Sequence, residues 1–213
     1  MAKQKGIIKL DGTIGGITFY KTTEDGYLAR EKGGVSADKI ANDPNFQRTR
    51  ENGEEFGRAG KAGKLLRNAI RAMLQNASDS RMVGRLTQKM VEVIQEDLTN
   101  PRGQRNVIDG EAELLEGFEF NINGKLGTTL YAPFTGTIDR VAGTLTANIP
   151  AFVPINMLAA PGGSTHFKIV SAGAEVDFEN ETFVMDAQAT AVLPWDATAT
   201  AVINLANAVT PNS

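Results

Sequence analysis

The spacing of apolar residues changes once along this chain, near Glu113. It passes from the three-to-four-residue period of amphipathic helices to the alternation of half-buried strands. Before the change, Ala59, Ala62, Leu66, Ala69, Ile70 and Met73 fall within an arc of about 100° on a helical wheel. Met82, Val83, Leu86, Met90, Val93 and Ile94 form a second arc of about 120°. Asn76-Ala77-Ser78-Asp79 breaks the first run and offers a cap to the second, and Thr99-Asn100-Pro101 ends it. Two such stripes joined by a polar turn predict an antiparallel helical hairpin, with Leu66, Ile70 and Met73 packed on Leu86, Met90 and Val93. Asp43-Pro44 has the form of an N-cap followed by proline at the first helical position.

After the change, Lys and Arg nearly vanish. Alternation is clear in GFEFNI, GTIDRV, GTLTANI, HFKIV and AEVDFENETFVMD. In the last of these, Val176 and Phe178 face one way and Asp177 and Glu179 the other, with a turn at Glu179-Asn180-Glu181. Six or seven short strands at this spacing predict an antiparallel sandwich, Ig-like or barrel-like, of about 100 residues.

The N-terminal stretch carries two Asp-Gly dipeptides, Asp11-Gly12 and Asp25-Gly26, each flanked by strand-forming residues. Asp-Gly suits a type I′ hairpin turn, which needs positive φ at both central positions. The expected structure is a three-stranded meander, with Gly15-Gly16 as a bulge or bend. The whole chain therefore reads as α+β in three parts: a β-ribbon arm at 1–34, a helical hairpin at 35–110 and a β-sandwich at 111–213.

Composition limits the chemistry. The chain has no cysteine, which removes disulfides, thiol catalysis and thiolate metal sites. MAKQKGIIKLDG lacks the apolar core of a signal peptide, and no apolar run approaches membrane-spanning length. The expected location is cytoplasmic at synthesis, with later release inside a particle or filament compatible with the same sequence. Net charge is −3, but residues 1–90 hold 17 Lys and Arg against 10 Asp and Glu, whereas residues 91–213 hold 5 against 15. A balance of +7 facing −10 is an argument about association: a basic half that meets nucleic acid, or opposite halves that meet head to tail.

No catalytic, cofactor or metal site emerges. GEEFGRAGKAGK lacks the phosphate-loop pattern, because Glu55 and Arg58 stand where the leading glycine belongs and Ala62 and Leu65 where Ser or Thr belongs. His166, the single histidine, sits in a strand pattern beside Phe167 and reads as structural. DFENE, Asp177 to Glu181, lacks the glycine and closing glutamate of a calcium loop. The acidic run from Asp109 to Glu119 reads as a short solvated helix leading into a strand.

The same glycines are informative on a helix. Gly53, Gly57, Gly60 and Gly63 fall within about 120°, on the side away from Ala59, Leu66 and Met73. Four helical glycines cost roughly 3 to 4 kcal/mol relative to alanine, which points to a face of close approach. The alternative is that the helix begins near Ala59 and the glycines are loop. Arg58, Lys61, Lys64, Arg67 and Arg71 share the outward side. They suit a solvated face, an acidic partner or a phosphate backbone, although no exposed aromatic platform accompanies them.

The segments GGITFYKTTEDGYLAREKGGVS, NDPNFQRTRENGEEFGRAGKAGKLLR and RGQRNVIDGEAELLEGFEFN, with VLPWD near the end, resemble a family of uncharacterised Bacteroidota proteins. The resemblance carries no activity, cofactor or site residue. It implies chains that run further, and a sandwich that here lacks one or more strands.

An isolated ribbon of two or three strands is marginal in water, and an uncovered strand edge invites pairing. The expected function is therefore a non-enzymatic structural protein that assembles with itself into a ring, tube or filament, as a virion, phage-tail-like or fibre component does. The expected assembly contacts are Ile7, Ile8, Leu10, Ile17, Phe19 and Tyr27 of the arm with Gly53, Gly57, Gly60 and Gly63. The alternative is a binding module that places Arg58, Lys61, Lys64, Arg67 and Arg71 on nucleic acid or on an acidic protein.

Overall fold

The structure is a computed structural model and describes residues 2–212. The chain is α+β, with an N-terminal antiparallel sheet, a helical hairpin and C-terminal antiparallel sheets. It forms two compact units, Met1–Arg50 and Glu51–Ser213.

The first unit holds a four-stranded antiparallel sheet of β1 (Ala2–Lys3), β2 (Gly12–Ile14), β3 (Ile17–Thr22) and β4 (Gly26–Glu31), in the order β1-β4-β3-β2. This corrects the three-stranded meander. Ile7, Ile8 and Leu10 lie outside every strand, and Ala2–Lys3 pairs with Leu28 and Ala29 instead. Gly15-Gly16 is the β2–β3 turn, not a bulge: Ile14 pairs with Ile17, and Gly15 takes φ +58° as the first central residue of a type II′ turn must.

Neither Asp-Gly dipeptide forms a type I′ turn, because Asp11 and Asp25 keep negative φ. At the β3–β4 connection positive φ is confined to Gly26, at +74°, and the Thr22 hydroxyl accepts from the Asp25 N–H at 3.0 Å. Beyond the sheet, Ser36 caps α1 (Ala37–Asn42), a helix the apolar spacing does not reveal. Asp43 then caps a 3-10 turn at Pro44–Phe46, as its Pro partner predicts. The Arg50 guanidinium donates to the carbonyls of Ile40 and Asp43 at 2.7 and 3.0 Å, which ties this corner together.

Helix α2 (Gln47–Ala69) runs into the second unit and is continuous through all four glycines, so the loop alternative is excluded. It ends at Ala69, and a short α3 (Arg71–Leu74) precedes α4 (Met82–Gln95). The core is centred on α4: Met82, Leu86, Met90, Val93 and Ile94 are buried against Ala59 and Ala62 of α2. Leu66 and Leu74 pack at its edge, while Ile70 and Met73 are only half-buried, because the break after Ala69 turns them off the helical stripe. The contact therefore sits one to two turns earlier on α2 than the apolar arc predicts.

The acidic run from Asp109 to Glu119 holds one short 3-10 helix but leads into no strand; it belongs to the longer segment from Asp97 to Ile122. That segment is a wrap with one 3-10 turn, Ala112–Leu115, and its Leu114, Leu115, Phe118 and Phe120 pack on the helical core. GFEFNI alternates because alternate residues meet the helices, not because it pairs in a sheet. After α5 (Leu126–Thr129), seven strands follow: β5 (Thr135–Asp139), β6 (Thr144–Ile149), β7 (His166–Phe167), β8 (Val170–Asp177), β9 (Thr182–Ala189), β10 (Leu193–Pro194) and β11 (Ile203–Ala208). They pair as β11-β6-β5, β8-β9 and β10-β7. Ile149, Ile203, Leu205, Phe152, Leu130 and Ala132 form a second core here.

The two larger sheets face each other. Gly173 of β8 lies so close to Leu145 of β6 and Asn207 of β11 that an added Cβ would come within 2.8 Å of Leu145 Cδ1 and 2.9 Å of Asn207 Cβ. One edge is closed by side chains: the Gln188 N–H donates to Asn207 Oδ1 at 3.1 Å, and the Ala208 N–H to Asp186 Oδ2 at 3.0 Å. The other edge, between β5 and β8, stays open.

Candidate functional site

In the first unit, four of the six residues expected to make assembly contacts, Ile7, Ile8, Leu10 and Ile17, are exposed, and Phe19 and Tyr27 are half-buried. Ile7 is 103% exposed and Ile8 81%, on a loop pinned at its ends by Gln4, whose side chain bonds the Leu10 N–H (2.9 Å) and the Leu28 carbonyl (2.9 Å). Leu10 is also exposed. Cross-strand register puts Ile14, Ile17, Phe19, Tyr27 and Ala29 on one face of the sheet. Ile14 and Ile17 on that face are largely exposed, and Lys9 and Lys21 extend over the Tyr27 ring at 5.9 and 5.4 Å. The sheet ends on one side at β2, whose outer edge has no strand partner among the described residues. All six arm residues therefore lie on one surface or its adjoining loop, and Leu28, on the opposite sheet face, is buried.

The glycines divide. A Cβ at Gly53, Gly57 or Gly60 would meet nothing within 4 Å, so these three line an open face of α2. Gly63 does not share it: a Cβ there would touch Leu86 and Met90 at 3.6 to 3.8 Å, which corrects its placement to the contact with α4. The basic set divides as well. Arg58 is half-buried and donates to the carbonyls of Gly103 (2.6 Å) and Arg105 (3.1 Å), and Arg67 turns back onto the Gly63 carbonyl at 3.1 Å. Lys61, Lys64 and Arg71 remain exposed.

Three ionised groups order the wrap: Glu55 and Asp79 tie it to the helical segment, and Asp97 gathers its first turns. Glu55, buried in α2, accepts from Arg105 Nε and Nη2 and from the Gly103 N–H, all at 2.8 Å. The Arg105 hydrogen bonds hold its carboxyl below the ordinary value despite burial. Asp79 binds Arg85 and the Ile122 N–H. The Ile122 contact leads in lowering its pKa. At Asp97 burial opposes ionisation, but donors from Asn100, Asn106 and Thr99 outweigh it and hold the carboxyl at about 2. Arg105 lies 50 residues from Glu55 and Ile122 lies 43 from Asp79, so no local pattern announces these two bonds.

Clefts open on the second unit among the described residues. One, of about 750 Å³, is lined by Leu115, Phe118, Phe120, Leu126 and Phe134. A smaller one, of about 210 Å³, lies between Lys61, Leu65, Val107, Phe178 and Glu181. Another, of about 360 Å³, is the open edge of the sandwich, lined by Gly136, Ile138, Leu145, Ala147, Ser171 and Asn207. His166 is exposed on β7, paired with Pro194, its Nδ1 2.9 Å from the Thr165 hydroxyl. Among the described residues, no group of three His, Asp or Glu is placed to hold a metal ion. Among them too, no helix is long and apolar enough to cross a membrane.

Comparison with protein-family models, with curated proteins and with solved structures finds no match to this chain.

Proposed function

We propose that the protein is a non-enzymatic structural subunit that assembles head to tail with copies of itself, into a ring, tube or filament, through its N-terminal strand arm. The observation that carries this reading is the exposure of Ile7 and Ile8 beside a sheet face of Ile14, Ile17, Phe19 and Tyr27. Apolar side chains in contiguous exposure mark interaction surfaces. An edge strand supplies main-chain groups to which a neighbour's strand adds. Unlike surfaces in contact generate rings when the rotation closes and filaments when it does not. The charge asymmetry of the chain favours such polarity.

Sedimentation of the full-length protein at high micromolar concentration, against a form lacking residues 1–12 and against Ile7→Asp with Ile8→Asp, tests the proposal. The full-length chain is expected to sediment as an assembly and both altered forms as smaller, folded species. A monomeric full-length chain, or altered forms that assemble normally, would refute it. Assembly by strand addition is expected to persist from 50 to 500 mM salt, whereas binding of Lys61, Lys64 and Arg71 to a polyanion falls steeply over such a range.

A further inference from the structure

The open edge of the C-terminal sandwich has the form of a strand vacancy. Among the described residues, strand β5 pairs on one side only, with β6, and it is exposed along its length. In that pairing Gly136 lies opposite Ala147 and Ile138 opposite Leu145, so both share the inner face that Leu145 turns toward β8. An inner-face isoleucine in a complete sandwich is buried. Ile138 is 64% exposed, and no atom lies within 4 Å of the place a Cβ on Gly136 would occupy. On the outer side of β5 stand Thr135, Thr137 and Asp139.

Resting on the self-assembly reading above, we infer that this groove receives residues 5–10 of a second copy of the chain, added as a strand beside β5. The segment fits in three respects. It is apolar and exposed in the subunit that offers it. Extension releases Leu10 from Gln4 and places Ile8 and Leu10 on one side, over Ile138 and Leu145, with Lys5, Ile7 and Lys9 on the other, the side of Asp139. Its charge is complementary: residues 5–10 carry Lys5 and Lys9 and no acid, while residues 135–212 carry seven acids against Arg140 and Lys168. The added strand satisfies the outward N–H and C=O groups of β5 and covers its inner face. Each copy then gives one segment and accepts one, which is the head-to-tail arrangement.

The absence of native cysteine makes cross-linking a direct test. The double variant Ile8→Cys, Ile138→Cys, oxidised at an assembling concentration, is expected to give a ladder of covalently linked copies, and each single variant no ladder. Gly136→Trp fills the groove where the subunit leaves space, and Ile138→Lys sets a cation in the apolar site that Ile8 and Leu10 would occupy. Both are expected to weaken assembly about tenfold or more with an unchanged melting temperature. Normal assembly of Gly136→Trp and Ile138→Lys would overturn the groove assignment while leaving self-assembly intact. So would a double variant that forms only an intrachain link. A wild-type chain that stays monomeric would remove both.

Discussion

Glu55 and Arg105, fifty residues apart in sequence, join through two hydrogen bonds of 2.8 Å, one to each carboxylate oxygen. The Gly103 N–H adds a third at 2.8 Å, so both ends of the interaction are satisfied. A paired buried carboxylate of this kind is nearly neutral as a unit and costly when broken. Glu55→Ala leaves the Gly103 N–H and a half-buried guanidinium without their acceptor. It is expected to cost about 3 kcal/mol. Chemical denaturation of the purified variant reads the loss. A change under 0.5 kcal/mol would mean that the wrap is held by Leu114, Leu115, Phe118 and Phe120 alone.

Acid has a defined effect on the same region. Asp97 titrates at about 2 in the folded chain and near 4 when unfolded. A carboxyl depressed by folding adds stability above its unfolded pKa and surrenders it as pH falls through the folded value. Glu55 and Asp79 shift in the same direction. Stability is therefore expected to decline from about pH 4 to about pH 2. Asp97→Asn puts an amide donor against the donors of Asn100 and Asn106, and is expected to lower stability at neutral pH while flattening the acid limb. A wild-type denaturation midpoint that does not move between pH 5 and pH 2.5 would contradict this.

The two helices were legible because their apolar stripes repeat within a few residues, although α4 starts after Arg81 with no capping side chain and ends at Gln95, ahead of Thr99-Asn100-Pro101. α4 in particular presents Met82, Leu86, Met90, Val93 and Ile94 as expected, all buried, whereas Val83 of the same arc is exposed. What the spacing missed was the break after Ala69: Ile70 adopts φ −101° and ψ 21°, and no proline or capping side chain marks it. The arm misled for a related reason. Asp-Gly favours a hairpin locally, but Gly15-Gly16 offers a tighter connection, and the pairing of Ala2–Lys3 with β4 is a long-range event that no dipeptide encodes. The sandwich strands were legible by alternation. The uncovered face of β5 was not, since Ile138 alternates as any buried residue does.

Truncation separates the two ends of the helical contact. Leu86 is wholly buried, and Leu86→Ala is expected to cost about 3 to 5 kcal/mol through lost burial and a residual cavity. Leu66 packs at the margin, so Leu66→Ala should cost about 1 to 2 kcal/mol. Equal losses in thermal or chemical denaturation would place the core where the apolar arc put it, centred on Leu66.

The glycine face of α2 distinguishes a stability requirement from an assembly requirement. Gly53, Gly57 and Gly60 are helical, with open space where each Cβ would stand. Nothing within the subunit needs them to be glycine. Alanine at each is expected to stabilise the subunit by about 0.5 to 1 kcal/mol, because it removes backbone freedom from the unfolded chain without strain in the helix. If this face meets a neighbouring copy at close backbone range, the triple alanine variant will melt higher and assemble less, two effects of opposite sign from three methyl groups. Melting temperature and sedimentation are measured on the same sample. A variant that melts higher and assembles as wild type would show that the face is solvated in the assembly, and would confine the contacts to the N-terminal arm.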